Sequence, residues 1–271
     1  MLSNTNQSNL SSIPIHKEDA FNGMRKAGSL AAKILDNLCE IIKPGISTEE
    51  INTYCHNMIL ASGATPAPLN YRGYPKSVCT SVNHVVCHGI PSNNKILKEG
   101  DIMNVDVTVI LNRWHGDSSR MYAVGRINPK AEKLIKVTYD CLMKSIEILK
   151  PGIYLGDIGY AIQTHAESMN FSVVRDFCGH GLGKVFHCAP SVLHFGEKGN
   201  GIKLKQGMFF TIEPMINAGN WEVKILKDGW TAVTKDKSLS AQFEHSVAIT
   251  DDGAEIFTLS QNGTELPIKI L

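Results

Sequence analysis

The chain has 271 residues, 43% of them apolar and 20% charged, with a formal net charge of +1. This is ordinary globular composition, long enough for one large domain or two small ones, and nothing in the charge advertises a nucleic-acid or anionic-membrane surface. No apolar run approaches about 18 residues, so no membrane-crossing helix is expected, and seven cysteines without a framework spacing point to reduced thiols in a reducing, cytoplasmic compartment.

Residues 1–15 are polar and rich in Ser and Asn, without the charged start and apolar stretch of a secretory signal, and read as a loose, flexible tail ahead of a single domain over 16–271. An amphipathic helix is expected over 17–42, with Ala27, Ala31, Ile34, Leu38 and Ile41 on one stripe. Pro44-Gly45 stops it, and Ser47 opens a second helix with Glu50 three residues on, a capping box. Strands follow at Ile102–Leu111 and Trp114–Val124. Asn128-Pro129 then reads as N-cap and first residue of a helix running to about Lys150, and a further helix spans about Leu155 to Met169. Two more strands are expected at Met208–Ile216 and Gln242–Thr250. Helices early and strands late in each half give an α+β class, with helices backing an antiparallel sheet.

The chain repeats itself at an offset of 107 residues. Lys43-Pro44-Gly45-Ile46 returns as Lys150-Pro151-Gly152-Ile153, and Lys98-Glu99-Gly100 returns as Lys205-Gln206-Gly207. The same offset lays Asp106 on Glu213, acid on acid. Two related halves follow, roughly 17–125 and 126–250, each giving a carboxylate to a site on their pseudo-axis. The period is far too long for a solenoid.

Four short segments supply metal-type ligands: Asp106 and Asp117, then His180, Glu213 and Glu244. Four carboxylates and one imidazole form a hard, oxygen-rich set, better suited to two divalent ions than to a tetrahedral zinc held by thiolates. Asp106 and Asp117 flank Asn112-Arg113, a plausible hairpin turn. A two- or four-residue loop puts both on one face, and a three-residue loop separates them. Glu213 and Glu244 lie in apolar strand-like runs, where a carboxylate is expensive unless paired or metal-bound. The glycine-rich stretch around His180 is no phosphate loop, because Val185 and Cys178 stand where Ser/Thr and the first Gly are needed. H-E-x-x-H, G-x-S-x-G and paired C-x-x-C motifs are absent.

The segments YPKSVCTSVNHVVCHGIP, DVTVILNRWHGDSSRM, FCGHGLGKVFH, FTIEPM and AQFEHSVAIT closely resemble the type I methionine aminopeptidases in their short bacterial form, over roughly residues 17–260. The resemblance implies a pita-bread fold of two pseudo-symmetric halves around a curved sheet. It also implies removal of the initiator methionine from nascent proteins with a small second residue, through a water or hydroxide shared by two divalent ions (Co, Mn, Fe or Zn). It gives Asp117 and Glu244 as bridging ligands, Asp106 as a ligand of one ion, and His180 with Glu213 as ligands of the other. Within the same pattern His88 meets the substrate amine or the developing intermediate, His187 the scissile carbonyl oxygen, and Glu213 moves protons. Tyr71, Tyr74, Cys79, Phe186 and Trp230 surround the methionine side chain. Pro68, where a relative carries cysteine, and His84, where one carries an acid, depart from the pattern and bear on side-chain fit. Partners implied are nascent N-termini and the ribosome surface near the exit tunnel, for which Lys198, Lys203 and Lys205 are candidates, with no nucleic-acid specificity, no membrane, and a monomeric state.

Overall fold

The computed structural model describes residues 13–264 and 266. The first half contains α1 (Glu18–Ile41), α2 (Thr48–Ala61), β1 (Thr65–Pro66), β2 (Cys79–Val82), β3 (Val85–Cys87), β4 (Ile102–Leu111) and β5 (Trp114–Ala123). The second opens with α3 (Pro129–Glu147) and α4 (Leu155–Ser168), then β6 (Ser172–Val173), β7 (Gly179–Gly181), β8 (Cys188–Val192), β9 (Phe209–Ile212) and β10 (Met215–Asn217). It closes with β11 (Val223–Ile225), β12 (Ala232–Thr234), β13 (Ser240–Gln242), β14 (His245–Ile249) and β15 (Ala254–Ile256).

Local chemistry accounts for the helix boundaries. Ser47 Oγ accepts from Glu50 N while the Glu50 carboxylate accepts from Ser47 N, the reciprocal cap expected from the sequence. Asn128 Oδ1 accepts from Ala131 N ahead of Pro129, whose missing N–H costs nothing in a first turn. On α1 the predicted stripe is buried: Ala27, Ala31, Ile34 and Leu38 are solvent-inaccessible, and Ile41 is partly buried. Only part of the 1–15 tail is described, and Ile13 within it is buried in the core of the second half.

The repeat is visible in the backbone. α2 and α4 each have 14 residues, and their bounds differ by the sequence offset. Gly45 N donates to Leu97 O and Leu97 N to Ile46 O; at the same offset Gly152 N donates to Leu204 O and Leu204 N to Ile153 O. The bridge Ser47–Ile96 is matched by Tyr154–Lys203. Gly45 and Gly152 both take φ near +95° (95 and 97), a conformation that a Cβ would strain. Each half has its own core. One joins α1 and α2 to Val105, Val107 and Val109 of β4, and the other joins α3 and α4 to Phe210, Ile212 and Val247.

All strand pairings among the described residues are antiparallel, as the α+β reading requires. The β4–β5 hairpin closes with Leu111 opposite Trp114, so its loop is Asn112-Arg113, both at positive φ as a two-residue turn needs. The two late strands differ from expectation. Met208–Ile216 divides into β9 and β10, and Gln242–Thr250 into β13 and β14, with the pieces in separate sheets. Pro214 lacks an N–H and cannot continue the β9 ladder. The partner strand breaks at the same level, since His245 faces Ile212 on one side and Met215 faces Gln242 on the other. Glu213 and Glu244 stand at these two breaks.

Candidate active site

The hairpin register puts Thr108 opposite Asp117 and Asp106 opposite Ser119. Asp106, Thr108 and Asp117 therefore share a face, as the two-residue loop requires. Thr108 Oγ1 donates to Asp117 Oδ1 at 2.6 Å. β5 then meets the β13–β14 break through a reciprocal clasp. Glu244 N donates to Ser119 O, Ser118 Oγ to Glu244 O and Ser246 Oγ to Asp117 O, the last two at 2.7 Å. This clasp seats Asp117, from the first half, beside Glu244, from the second.

His180 rises from β7 between the same groups. Its Nε2 is 3.5 Å from Asp117 Oδ2 and 3.8 Å from Glu213 Oε1. The ligand atoms of Asp117, His180 and Glu244 lie within 4.8 Å of one another. Nδ1–H donates to Gly181 O (3.2 Å), which turns Nε2 toward the carboxylates. Thr211 Oγ1 accepts from His180 N and donates to Glu213 Oε1 at 2.9 Å, and Gln242 Nε2 donates to Glu213 Oε2 at 3.3 Å. Asp106 Oδ1 is buried without a hydrogen-bond partner among the described residues.

The electrostatics of this cluster call for a cation. Burial first, then the charges of Asp117 and Glu213, hold the Asp106 carboxyl well above the usual carboxylate range. Glu244 is raised by the same causes, and burial and Asp117 push Glu213 up to about 7. Burial pulls His180 down, but its hydrogen bond to Asp117 and the Glu213 charge outweigh this and raise it to about 9. Like-charged carboxylates crowded in a low-dielectric site retain protons unless a positive ion replaces them. An orphaned carboxylate oxygen and an oxygen-rich donor set fit divalent ions. Asp117, His180 and Glu244 are the cluster able to hold an ion, and Asp106 and Glu213 line the same cavity.

All five residues line one cavity of about 360 Å³. Every residue expected around the substrate, namely Tyr71, Tyr74, Cys79, His88, Phe186, His187 and Trp230, lines it too. The Tyr71 ring lies 4.9 Å from Phe186 and 5.1 Å from His187, and Tyr74 meets Trp230 edge-on at 5.2 Å. Tyr74 is 2% exposed, and its hydroxyl donates to the Val78 and Gly89 carbonyls. His88 adopts φ 56°, a conformation non-glycine residues rarely take, with its ring against Phe177 and Trp230. Burial lowers the His88 pKa, and burial with the His180 charge lowers His187 to about 4, so both imidazoles are neutral near pH 7.

Pro68 lines the cavity. His84 is exposed and is not among the residues lining the cavity. Sequence reasoning missed Phe177, Cys178 and Met215 in the wall and Thr108, Thr211 and Gln242 behind the carboxylates. Thr108 was accessible from the hairpin register and Thr211 from its place two residues before Glu213; the others depend on how separate segments approach.

Residues 22–251 match the model of metallopeptidase family M24. A methionine aminopeptidase of Rickettsia prowazekii (strain Madrid E) is 59% identical over 256 residues, covering 94% of this chain and 98% of that protein. One of Escherichia coli (strain K12) is 49% identical over 253 residues, covering 93% and 96%. The crystal structure of methionine aminopeptidase from Rickettsia prowazekii superposes with a TM-score of 0.90 at 60% identity, over 91% of this chain and all of that one.

Proposed function

The chain belongs to metallopeptidase family M24, and on that premise we propose that it is a metalloaminopeptidase hydrolysing the N-terminal initiator methionine from nascent proteins and peptides with a small second residue. The observation that carries this reading is the convergence of an acidic, histidine-containing cluster and an aromatic wall on one cavity. In it the chain uses divalent metal, and Asp106, Asp117, His180, Glu213 and Glu244 would hold two ions drawn from Co, Mn, Fe or Zn. When bound, such ions make water acidic enough to attack near neutral pH and polarise the carbonyl.

The chain's own residues do the rest. Tyr71, Tyr74, Cys79, Phe186 and Trp230 enclose the unbranched thioether side chain and exclude water from it. His88, neutral and held between Phe177 and Trp230, hydrogen-bonds the amine end of the substrate or the developing intermediate. His187, also neutral, donates to the scissile carbonyl oxygen and stabilises the negative charge gathering there. Glu213 takes a proton from the attacking water and delivers it to the departing nitrogen.

The same reading makes residues 16–271 one catalytic domain of two repeat halves, acting as a cytoplasmic monomer on chains emerging from the ribosome. The exposed Lys198, Lys203 and Lys205 are a solvated loop face and only a candidate for the ribosome contact. No helix of the described residues is long and apolar enough to cross a membrane.

Metal-reconstituted protein incubated with Met-Ala-Ser and Leu-Ala-Ser tests the assignment. Methionine release from the first and little cleavage of the second is expected, with kcat falling about 10²–10⁴-fold in Glu213→Gln. Equal cleavage of both peptides overturns the pocket, and normal turnover in the variant removes Glu213 from proton transfer.

A further inference from the structure

A histidine that this chemistry does not use stands directly behind Glu213. His194 follows β8, is 1% exposed, and its Nε2 accepts a hydrogen bond from Glu213 N at 3.1 Å. A ring nitrogen that accepts an N–H carries no proton, so the proton of this neutral imidazole is on Nδ1, which is buried without a partner among the described residues. A buried Nδ1–H without a partner is costly, so its retention calls for a reason.

Glu213 supplies the reason. It stands where β9 has ended and β10 has not begun, with Pro214 next, and no strand carbonyl takes up its N–H. The imidazole does so in place of a strand. The loop bearing it is pressed onto α4. A Cβ at Gly159 would stand 2.4 Å from Phe195 O and 2.9 Å from Leu193 O, so only glycine admits the Leu193–Phe195 backbone there. Gly196 N also donates to Gln163 Oε1 of the same helix at 3.2 Å. With its neighbours fixed on α4, His194 turns inward onto Glu213.

We infer that His194 is a positioning residue for Glu213, fixing its backbone while Thr211 and Gln242 fix the two carboxylate oxygens. The inference rests on the reading of Glu213 as metal ligand and proton carrier. A residue held at its backbone N–H and at both carboxylate oxygens keeps one orientation between metal-holding and proton-moving roles, and second-layer contacts of this kind commonly change metal affinity by about 10–100-fold.

Three substitutions test it. In His194→Gln the amide oxygen reaches about the place of Nε2, in His194→Asn it stops short, and His194→Leu fills the space without an acceptor. Each is assayed for kcat and KM on Met-Ala-Ser, for Mn²⁺ affinity of chelator-stripped protein by calorimetry, and for its melting temperature. Expected are a kcat at least about tenfold lower in His194→Leu with KM within about threefold, an Mn²⁺ affinity about tenfold weaker, and recovery of both in His194→Gln but not in His194→Asn. Unchanged kcat and affinity in His194→Leu, or a folded His194→Gln as impaired as His194→Leu, overturns the inference. If the leucine variant does not fold, the Gln and Asn variants decide, and equal activity in those two overturns it. Glu213→Gln run alongside separates the two claims. Full turnover there sinks the reading of Glu213, whereas loss there beside a normal His194→Leu sinks only the role of His194.

Discussion

Replacing His187 by alanine removes one hydrogen-bond donor at the cavity mouth and leaves the carboxylate cluster behind it intact. The imidazole packs against the rings of Tyr71, Phe186 and His180, with centroids 5.1, 4.0 and 4.1 Å away, so its orientation is set by stacking before any substrate arrives. Because burial and the His180 charge lower its pKa to about 4, in its proposed role it would meet a carbonyl oxygen as a neutral N–H donor. Such a donor gains strength as charge develops on the oxygen. Its loss is therefore expected to lower kcat and kcat/KM together, by about 10²–10³-fold, with KM little changed. Steady-state kinetics on Met-Ala-Ser check this. A variant that raises KM alone would make His187 a ground-state contact. His187→Gln, which restores a donor on a similar reach, is expected to recover part of the loss.

At the scale of elements, α1 is tied to β5 by a buried ion pair. Arg120 Nη1 donates to Asp36 Oδ1, both side chains are 2% exposed, and Asp36 also accepts from Thr264 Oγ1 and Gln261 N. Burial raises the Asp36 carboxyl, but hydrogen bonds from Arg120, Ser260 and Thr264 and the Arg120 charge outweigh it and hold the group below the usual range. Asp36→Ala would strand a guanidinium on the strand that carries Asp117, at an expected cost of about 3–5 kcal/mol in urea unfolding. A loss below about 1 kcal/mol would mean that water reaches Arg120 in the variant. Much at this scale was legible in the chain itself. The α1 stripe, the Ser47–Glu50 box, the Asn128-Pro129 start and the hairpin at Asn112-Arg113 are local patterns, and local geometry obeys them. The division of the two late strands was not, because a run such as FFTIEPMIN carries one apolar pattern through a bend that only pairing with AQFEHSVAI creates. The same limit hid Gln242 and His194. Each touches Glu213 from a segment far away in the chain, and no spacing encodes that approach.

At the scale of the molecule, two halves that each fold on their own core bring acidic groups from both to one place, and the folded state bears the repulsion. Glu213 rises from 4.5 to about 7, chiefly through burial and then Asp117, and His180 rises from 6.5 to about 9 as its bond to Asp117 and the Glu213 charge overcome burial. A group whose pKa is higher in the folded than in the unfolded state binds its proton more tightly when folded. Its contribution to stability is complete below the unfolded value and is lost as pH rises through the folded one. Both windows run the same way, from 4.5 to about 7 for Glu213 and from 6.5 to about 9 for His180. Metal-stripped protein should therefore lose stability as pH climbs from about 4.5 to about 9. Divalent ions compete with those protons, so affinity rises over the same interval, and the stabilisation from a fixed metal concentration rises with it. Scanning calorimetry in chelator and in excess Mn²⁺ measures both effects. The melting temperature in chelator is expected to fall across the interval while the gap to the Mn²⁺ curve widens. A gap that stays constant, or a chelated protein that gains stability toward about pH 9, would mean that the carboxylates and His180 do not share their protons with a metal site.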